Sequence, residues 1–368
     1  MDLRPPLTRP HRSRQASHAQ LVAPFVLIAV VTVVDVLAPP EVHLGPFLAA
    51  APAMTASFAG PRMTAFVGLV AVLAQVVVST ARTSLTDLNH TFQIIALIMI
   101  SVFVTFFAHL REVHEKEMVQ LRTVAETAQQ VVLRPLHDRI GPLGVASVYL
   151  AAAAEAQIGG DLYAAARTDT GTRLIIGDVR GKGLAAVGDA ALVLGAFRAS
   201  AHQETELTGL VDYLEAAVSA DLDGGDQGGE SFVTAAVLEI PDDEPVLRLV
   251  SCGHPPPLVL RGSGGAVSLD VARPAPPLGL AGLVTSTVTA QTFPFGPGDV
   301  LLLYTDGVLE ARDRAGTFYP LTERVAAWGG MPPQALLDHL CGDLLAHAAG
   351  NTLDDDAAMV AVRRPAPR

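Results

Sequence analysis

Apolar positions crowd into the first third of the chain, in near-continuous runs at about 21–38 (LVAPFVLIAVVTVVDVLA), 46–59 (PFLAAAPAMTASFA), 63–81 (MTAFVGLVAVLAQVVVSTA) and 91–109 (TFQIIALIMISVFVTFFAH). Crossing hydrocarbon takes roughly 20 residues. The first, third and fourth runs meet that length. The second is short and carries Pro46 and Pro52; it spans only if residues 44–60 are recruited, and is otherwise re-entrant or interfacial. Arg4, Arg9, Arg12 and Arg14 precede the first run, while Arg111, Lys116 and Arg122 follow the last. The positive-inside rule therefore puts both ends in the cytoplasm, which requires an even number of spans; about four transmembrane helices are expected. The first run is longer than the apolar core of a cleaved signal peptide and more runs follow it, so it reads as a membrane helix. Asp35, just before Ala38-Pro39-Pro40, is placed near the outer interface.

The pattern changes after residue 110. No Pro or Gly interrupts 110–133, and the composition favours one helix, of roughly 36 Å at 1.5 Å per residue. Arg134-Pro135 ends it. Leu121, Val124, Ala128 and Val131 have a spacing that fits a short coiled-coil seam pairing two chains, and equally one amphipathic helix lying on its own domain. Short β-rich runs then appear at 173–179, 232–240, 247–253, 257–261 and 300–305, with a last one over 357–363. Helical patterns fill 184–202, 206–222 and 332–349, and Pro-Asp-Asp-Glu-Pro at 241–245 reads as a hairpin turn. Strands and helices do not alternate regularly, so the expected class is α+β, an antiparallel sheet system flanked by helices. The domain reading is a basic tail (1–20), a transmembrane region (21–110), a helical connector (111–135) and a folded domain (136–368).

Charge sharpens this division. Of the net −12, residues 1–20 carry +3, residues 21–110 carry −1 and the remainder carries −14. Nucleic acid is excluded as a partner, because affinity for phosphate backbones rests on clustered Lys and Arg. Lipid is the partner implied for the apolar half. An acidic domain suits divalent cations, although acidity alone also serves solubility. The two cysteines, Cys252 and Cys341, are too few for a zinc cluster or a disulfide framework and read as small core residues.

Position is more informative than number among the acids. Asp161 follows Gly159-Gly160, and Asp178 sits in G-D-V-R-G-K-G, where a strand passes through a glycine loop into a helix. Asp306 ends an apolar strand in Y-T-D-G, and Asp354-Asp355-Asp356 opens the last strand. Asp-Gly pairs are often no more than turns. Four such loops at strand ends also form a candidate cage of oxygen ligands, which selects Mg²⁺ or Mn²⁺ over zinc. The G-x-x-x-G-K at 177–182 is not a nucleotide P-loop, which needs four residues between its glycines and Ser or Thr after the lysine.

The words G-G-D-L-Y (159–163), G-D-V-R-G-K-G-L (177–184), S-F-V-T (231–234), S-C-G-H-P-P-P-L-V-L (251–260), L-L-L-Y-T-D-G-V-L-E-A (301–311) and D-D-A-A-M-V-A-V (355–362) resemble, in order, those of the sporulation stage II protein E-like phosphatases, within the type 2C metal-dependent protein phosphatases. The resemblance covers roughly 125–364. It implies an αββα sandwich of two antiparallel sheets and a centre with two divalent cations, Mn²⁺ or Mg²⁺. By position, Asp178 resembles the carboxylate that bridges both ions and serves catalysis together with an activated water, with the Val179 carbonyl a further ligand. Asp306 and Asp355 resemble ligands of one ion and Asp161 of the other, with Asp356 the alternative to Asp355. Arg180, where the family more often has a small residue, and Lys182 are candidates for holding the substrate phosphate. His254 is either a general acid or part of a rigid strand-to-strand turn, and the second role is preferred. The implied function is a multi-pass protein of the cytoplasmic membrane, a phosphoserine/phosphothreonine protein phosphatase with its catalytic domain in the cytoplasm. Its implied substrate is a phosphorylated regulatory protein such as an anti-sigma-factor antagonist, and the 110–133 helix is its implied dimer contact. The alternative is a catalytically silent, membrane-tethered docking module of the same fold.

Overall fold

The computed structural model describes residues 18–39, 44–81, 88–152, 159–224, 231–262, 264–283 and 287–365. It forms two compact units, Met1–Gln120 and Leu121–Arg368.

In the first unit, α1 (His18–Leu37), α3 (Pro61–Ala81) and the first part of α4 (Leu88–Val132) are long and apolar enough to cross a membrane. The second apolar run is shorter: a 3₁₀ turn, Gly45–Ala49, with Pro46 near its start, leads into α2 (Ala50–Ala56). Ile28, Leu48, Ala51, Val67, Ala71 and Leu97 pack together inside, while Val30, Leu69, Phe103 and Phe106 point outward. An apolar exterior round an apolar interior is the arrangement a lipid solvent stabilises. Asp35 is buried and its Oδ1 accepts the Leu44 N–H at 3.2 Å. α4 continues without a break to Val132. The arginine-rich tail, and the side chains of Leu121, Val124, Ala128 and Val131 on which a seam would depend, lie outside the described residues.

The second unit carries eleven described strands in two antiparallel sheets. They are β1 (Arg139–Ile140), β2 (Leu143–Leu150), β3 (Gly159–Arg167), β4 (Gly171–Lys182), β5 (Val233–Pro241), β6 (Val246–Cys252), β7 (Leu258–Leu260), β8 (Ala266–Ser268), β9 (Gln291–Pro294), β10 (Val300–Tyr304) and β11 (Ala357–Arg363). One sheet has the order β1-β2-β11-β10-β7-β8, the other β3-β4-β5-β6-β9. Helices α5 (Leu184–Ser200) and α6 (Leu207–Gly224) follow β4, α7 (Asp306–Glu310) and α8 (Leu321–Val325) follow β10, and α9 (Pro333–His347) precedes β11.

The period of two along each strand builds the layers. Leu301 and Leu303 of β10, with Ala358, Val360 and Val362 of β11, enter the core that contains Ile175, Val237 and Leu249 of the facing sheet and Val193 and Phe197 of α5. The alternate residues Val300, Leu302, Ala357 and Met359 enter a second core with Leu336, Leu340 and Leu344 of α9. Helices thus cover both outer faces of the paired sheets, and the fold is the αββα sandwich that the resemblance implies. Burial on both faces is why β10 and β11 read as unbroken apolar runs. The Pro-Asp-Asp-Glu-Pro turn joins β5 to its antiparallel neighbour β6.

Candidate metal centre and active site

The site begins with strand register. β3 and β4 pair antiparallel with Asp161 directly opposite Asp178, and Asp178 in turn lies opposite Thr234 of β5. Two carboxylates facing each other across neighbouring strands repel, and in a sheet such a pair is destabilising unless a proton or a cation intervenes. An irregularity between Gly159 and Gly160 turns the end of β3. A Cβ on Gly160 would lie 2.6 Å from the Val179 carbonyl oxygen, so only glycine lets β3 lie this close to that carbonyl. The other sheet supplies the remaining acids. Asp306 opens α7 straight after β10, and Asp355 and Asp356 precede β11. A Cβ on Gly307 would overlap the Asp356 carbonyl, so glycine is what lets these two segments meet.

Asp161, Asp178, Val179, Arg180, Lys182, Asp306, Asp355 and Asp356 all line one pocket of about 300 Å³. Burial, followed by the charge of Asp178, holds the Asp161 carboxyl well above the usual range. Asp178 is pushed up to about 7 by burial, then by Asp306, Asp355 and Asp356, and Asp306 is raised by burial and by Asp355. Carboxylates that share one pocket and resist ionisation are the donor chemistry of a hard divalent cation. The residues present therefore fit such ions. Among the described residues no three acidic, histidine or cysteine side chains close round a single point; the acids share the pocket but are spread along its wall.

Individual contacts separate their roles. The Asp356 carboxylate is buried and accepts the backbone N–H groups of Ala152 (2.7 Å) and Gly159, which ties β11 to the chain on either side of 153–158. Asp355 is half-exposed and receives the Lys182 Nζ at 3.0 Å. The Arg180 guanidinium lies over the Phe232 ring, 5.3 Å from its centroid.

Thr305 is a residue of the site that the sequence words do not mark out. Its hydroxyl donates to Asp161 Oδ2 at 3.0 Å and accepts the Ala358 N–H at 2.9 Å, linking both sheets beneath the pocket. A Thr before a helix reads as an N-cap, yet here the hydroxyl makes no cap bond to α7. His254 is buried between Tyr304 O (Nε2, 3.1 Å) and Thr234 Oγ1 (Nδ1, 3.2 Å). A carbonyl only accepts, so Nε2 carries the proton and Nδ1 takes the threonine hydroxyl. Burial lowers its pKa to about 4, so the ring is neutral. It braces the strands that bear Thr234 and Tyr304, and it does not line the pocket. Cys252 is fully buried, with its thiol pushed up to about 12 by desolvation, and takes the packing role expected of it.

The family model of Stage II sporulation protein E (SpoIIE) matches residues 168–365, which include Asp178, Asp306 and Asp355 but not Asp161. Protein IcfG of Synechocystis is 31% identical over 121 residues, 32% of this chain and 18% of that protein, so only a small part of its length is shared. The structure of the RsbU and RsbW domains of Rv1364c from Mycobacterium tuberculosis has a TM-score of 0.50 at 26% identity, over 61% of this chain and 62% of that one. The SiaA PP2C domain of Pseudomonas aeruginosa reaches 0.56 at 16% identity, over 68% of this chain and 98% of its own, a likeness of fold alone. With more than half of its length matched by the family model, and with the αββα fold and acid-lined pocket just described, the chain belongs to the SpoIIE family and carries its PP2C-type serine/threonine phosphatase domain.

Proposed function

We propose that the protein is a membrane-anchored, Mn²⁺- or Mg²⁺-dependent phosphatase that removes phosphate from serine or threonine of a cytoplasmic regulatory phosphoprotein such as an anti-sigma-factor antagonist. The observation that carries the reading is the opposed pair Asp161, buried, and Asp178, half-buried, on adjacent strands in the same pocket as Asp306 and Asp355. A fold kept for docking alone gains nothing from such a pair, which costs stability until a cation or a proton offsets it. The similar structure in which an RsbU domain is found with an RsbW domain supports a protein as the partner.

Asp178, the Val179 carbonyl, Asp306 and Asp355 would hold the cations together with Asp161. Once bound, the ions supply Lewis acidity, which lowers the pKa of water and offsets phosphoryl charge in an in-line displacement. The chain's own groups do the rest. Thr305 fixes the rotamer of Asp161 through its hydroxyl. Arg180, on Phe232 at the pocket wall, offers a planar fork to phosphate oxygens. Lys182, on Asp355 at the same pocket, would be a second cation for those oxygens.

The test is hydrolysis of an aryl phosphate by the full chain in detergent. Turnover should require Mn²⁺ or Mg²⁺, stop with chelator, and fall at least about a hundredfold in Asp178→Ala, roughly the scale of losing one electrostatic element of a catalytic site. Turnover that survives chelation, or that is unchanged in Asp178→Ala, overturns the reading; no turnover under any condition favours the docking module.

A further inference from the structure

A second cavity, of about 490 Å³, lies in the first unit, where the start of α3 meets α4 just past its apolar stretch. Arg62, His109 and Lys116 line it, with Glu112 the single acid. That acid is already engaged, because the Lys116 ammonium donates to Glu112 Oε1. Arg62 is exposed and makes no ion pair within 4.0 Å among the described residues, although its charge also acts on Glu112, so the cleft sets two permanent cations against one carboxylate. The cleft therefore holds an excess of positive charge. Its walls are fixed from outside: Arg111 donates to the Ala56 and Ala59 carbonyls at the end of α2 and pairs with Glu115 at 3.3 Å. Gly60 lies close against the acid: a Cβ there would come within 3.3 Å of Glu112 Oε2.

Apolar surface continues from the cleft. Phe66, one turn along α3 from Arg62, is 52% exposed, and Phe106, one turn before His109 on α4, is 55% exposed. A basic cleft at the end of apolar helices, with exposed aromatic rings running away from it, has the shape and polarity of an amphiphile with an anionic head.

We propose that this cleft binds the phosphate headgroup of an anionic phospholipid, with Arg62 and Lys116 on the phosphate and an acyl chain along Phe66 and Phe106. The inference rests on reading α1, α3 and α4 as membrane helices. A free phosphate shares the headgroup chemistry but gains nothing from the aromatic rings.

The experiment uses the full chain in detergent, titrated with phosphatidylglycerol or phosphatidylcholine and read by native mass spectrometry. Retention of phosphatidylglycerol should exceed that of phosphatidylcholine about tenfold or more. It should fall about fivefold for each basic group removed in Arg62→Ala and Lys116→Ala, survive in the charge-keeping pair Arg62→Lys and Lys116→Arg, and resist millimolar inorganic phosphate. Equal retention of the two lipids, alanine variants that retain phosphatidylglycerol as the wild type does, or displacement by free phosphate overturns the proposal. Separation of the two readings comes from alkaline extraction of membranes: a chain released into solution ends the membrane reading itself, whereas a chain that stays with the bilayer but shows no lipid preference ends only the headgroup site.

Discussion

A single side chain can be costly in one state of a protein and necessary in another, and Asp178 is of this kind. Its pKa rises from 3.8 to about 7 through burial and the charges of Asp306, Asp355 and Asp356. An acid whose folded pKa lies above its unfolded one binds more protons when folded, so its contribution to stability is full below pH 3.8 and is lost as pH rises towards 7. Asp161 shifts in the same direction. The chelated protein should therefore lose stability in urea between pH 5 and pH 8. Mn²⁺ should restore more at pH 8 than at pH 5, because protons and cation compete for the same oxygens. At one hundred times its Kd the ion should contribute about 2.7 kcal/mol. A chelated protein that is more stable at pH 8 than at pH 5 would show that these acids are already compensated without metal.

Elements decide which member of the Asp354-Asp355-Asp356 run does what. Single residues in such a run are interchangeable on paper, and the resemblance leaves Asp355 and Asp356 open by one position. The chain bends at 354–355 just before β11, and the ordering here is plain: Asp356 turns inward to two backbone N–H groups while Asp355 meets Lys182. Asp356→Ala should destabilise the folded domain by about 2–4 kcal/mol, as expected for losing buried bonds to a charged acceptor. Asp355→Ala should leave the urea midpoint within about 0.5 kcal/mol of wild type and abolish cation binding by calorimetry. The reverse outcome would exchange the two roles. Other elements were hidden for a related reason. β3 escapes the strand pattern because GGDLYAAAR is rich in Ala and Gly, poor strand formers that pairing with β4 holds extended. Apolar runs over β10 and β11, glycine words and Asp-Gly turns were legible because each reflects local chemistry. Thr305 was not, because its partner Asp161 is 144 positions away.

The same long-range logic governs His254 in the folded domain as a whole. Through Tyr304 and Thr234 it joins the two sheets just behind the pocket. His254→Ala removes both bonds and opens a void, so the domain should lose about 2–4 kcal/mol. The pH dependence of kcat should keep its shape, since a ring with a pKa of about 4 stays neutral across the working range. A lost limb in that profile would instead make the ring a proton donor in catalysis. In the first unit the whole-molecule question is how many times the chain crosses. Three helices are long enough, and three crossings would place the arginine-rich tail and Arg111 on opposite sides. We propose that the short segment supplies a fourth crossing. Gly45 packs on Gln75 and Gln93, while the Ala56 and Ala59 carbonyls are held by Arg111. Gln93 and Arg111 are separated on α4 by a rise of roughly 27 Å, close to the roughly 30 Å of hydrocarbon. The path from Gly45 to Ala59 thus runs along most of that thickness, the length that a return crossing needs. Reporters placed before α1 and after Arg111 should accordingly both be cytoplasmic. A periplasmic signal from either one would mean that the 3₁₀ turn and α2 dip into the bilayer and return to the side from which they came.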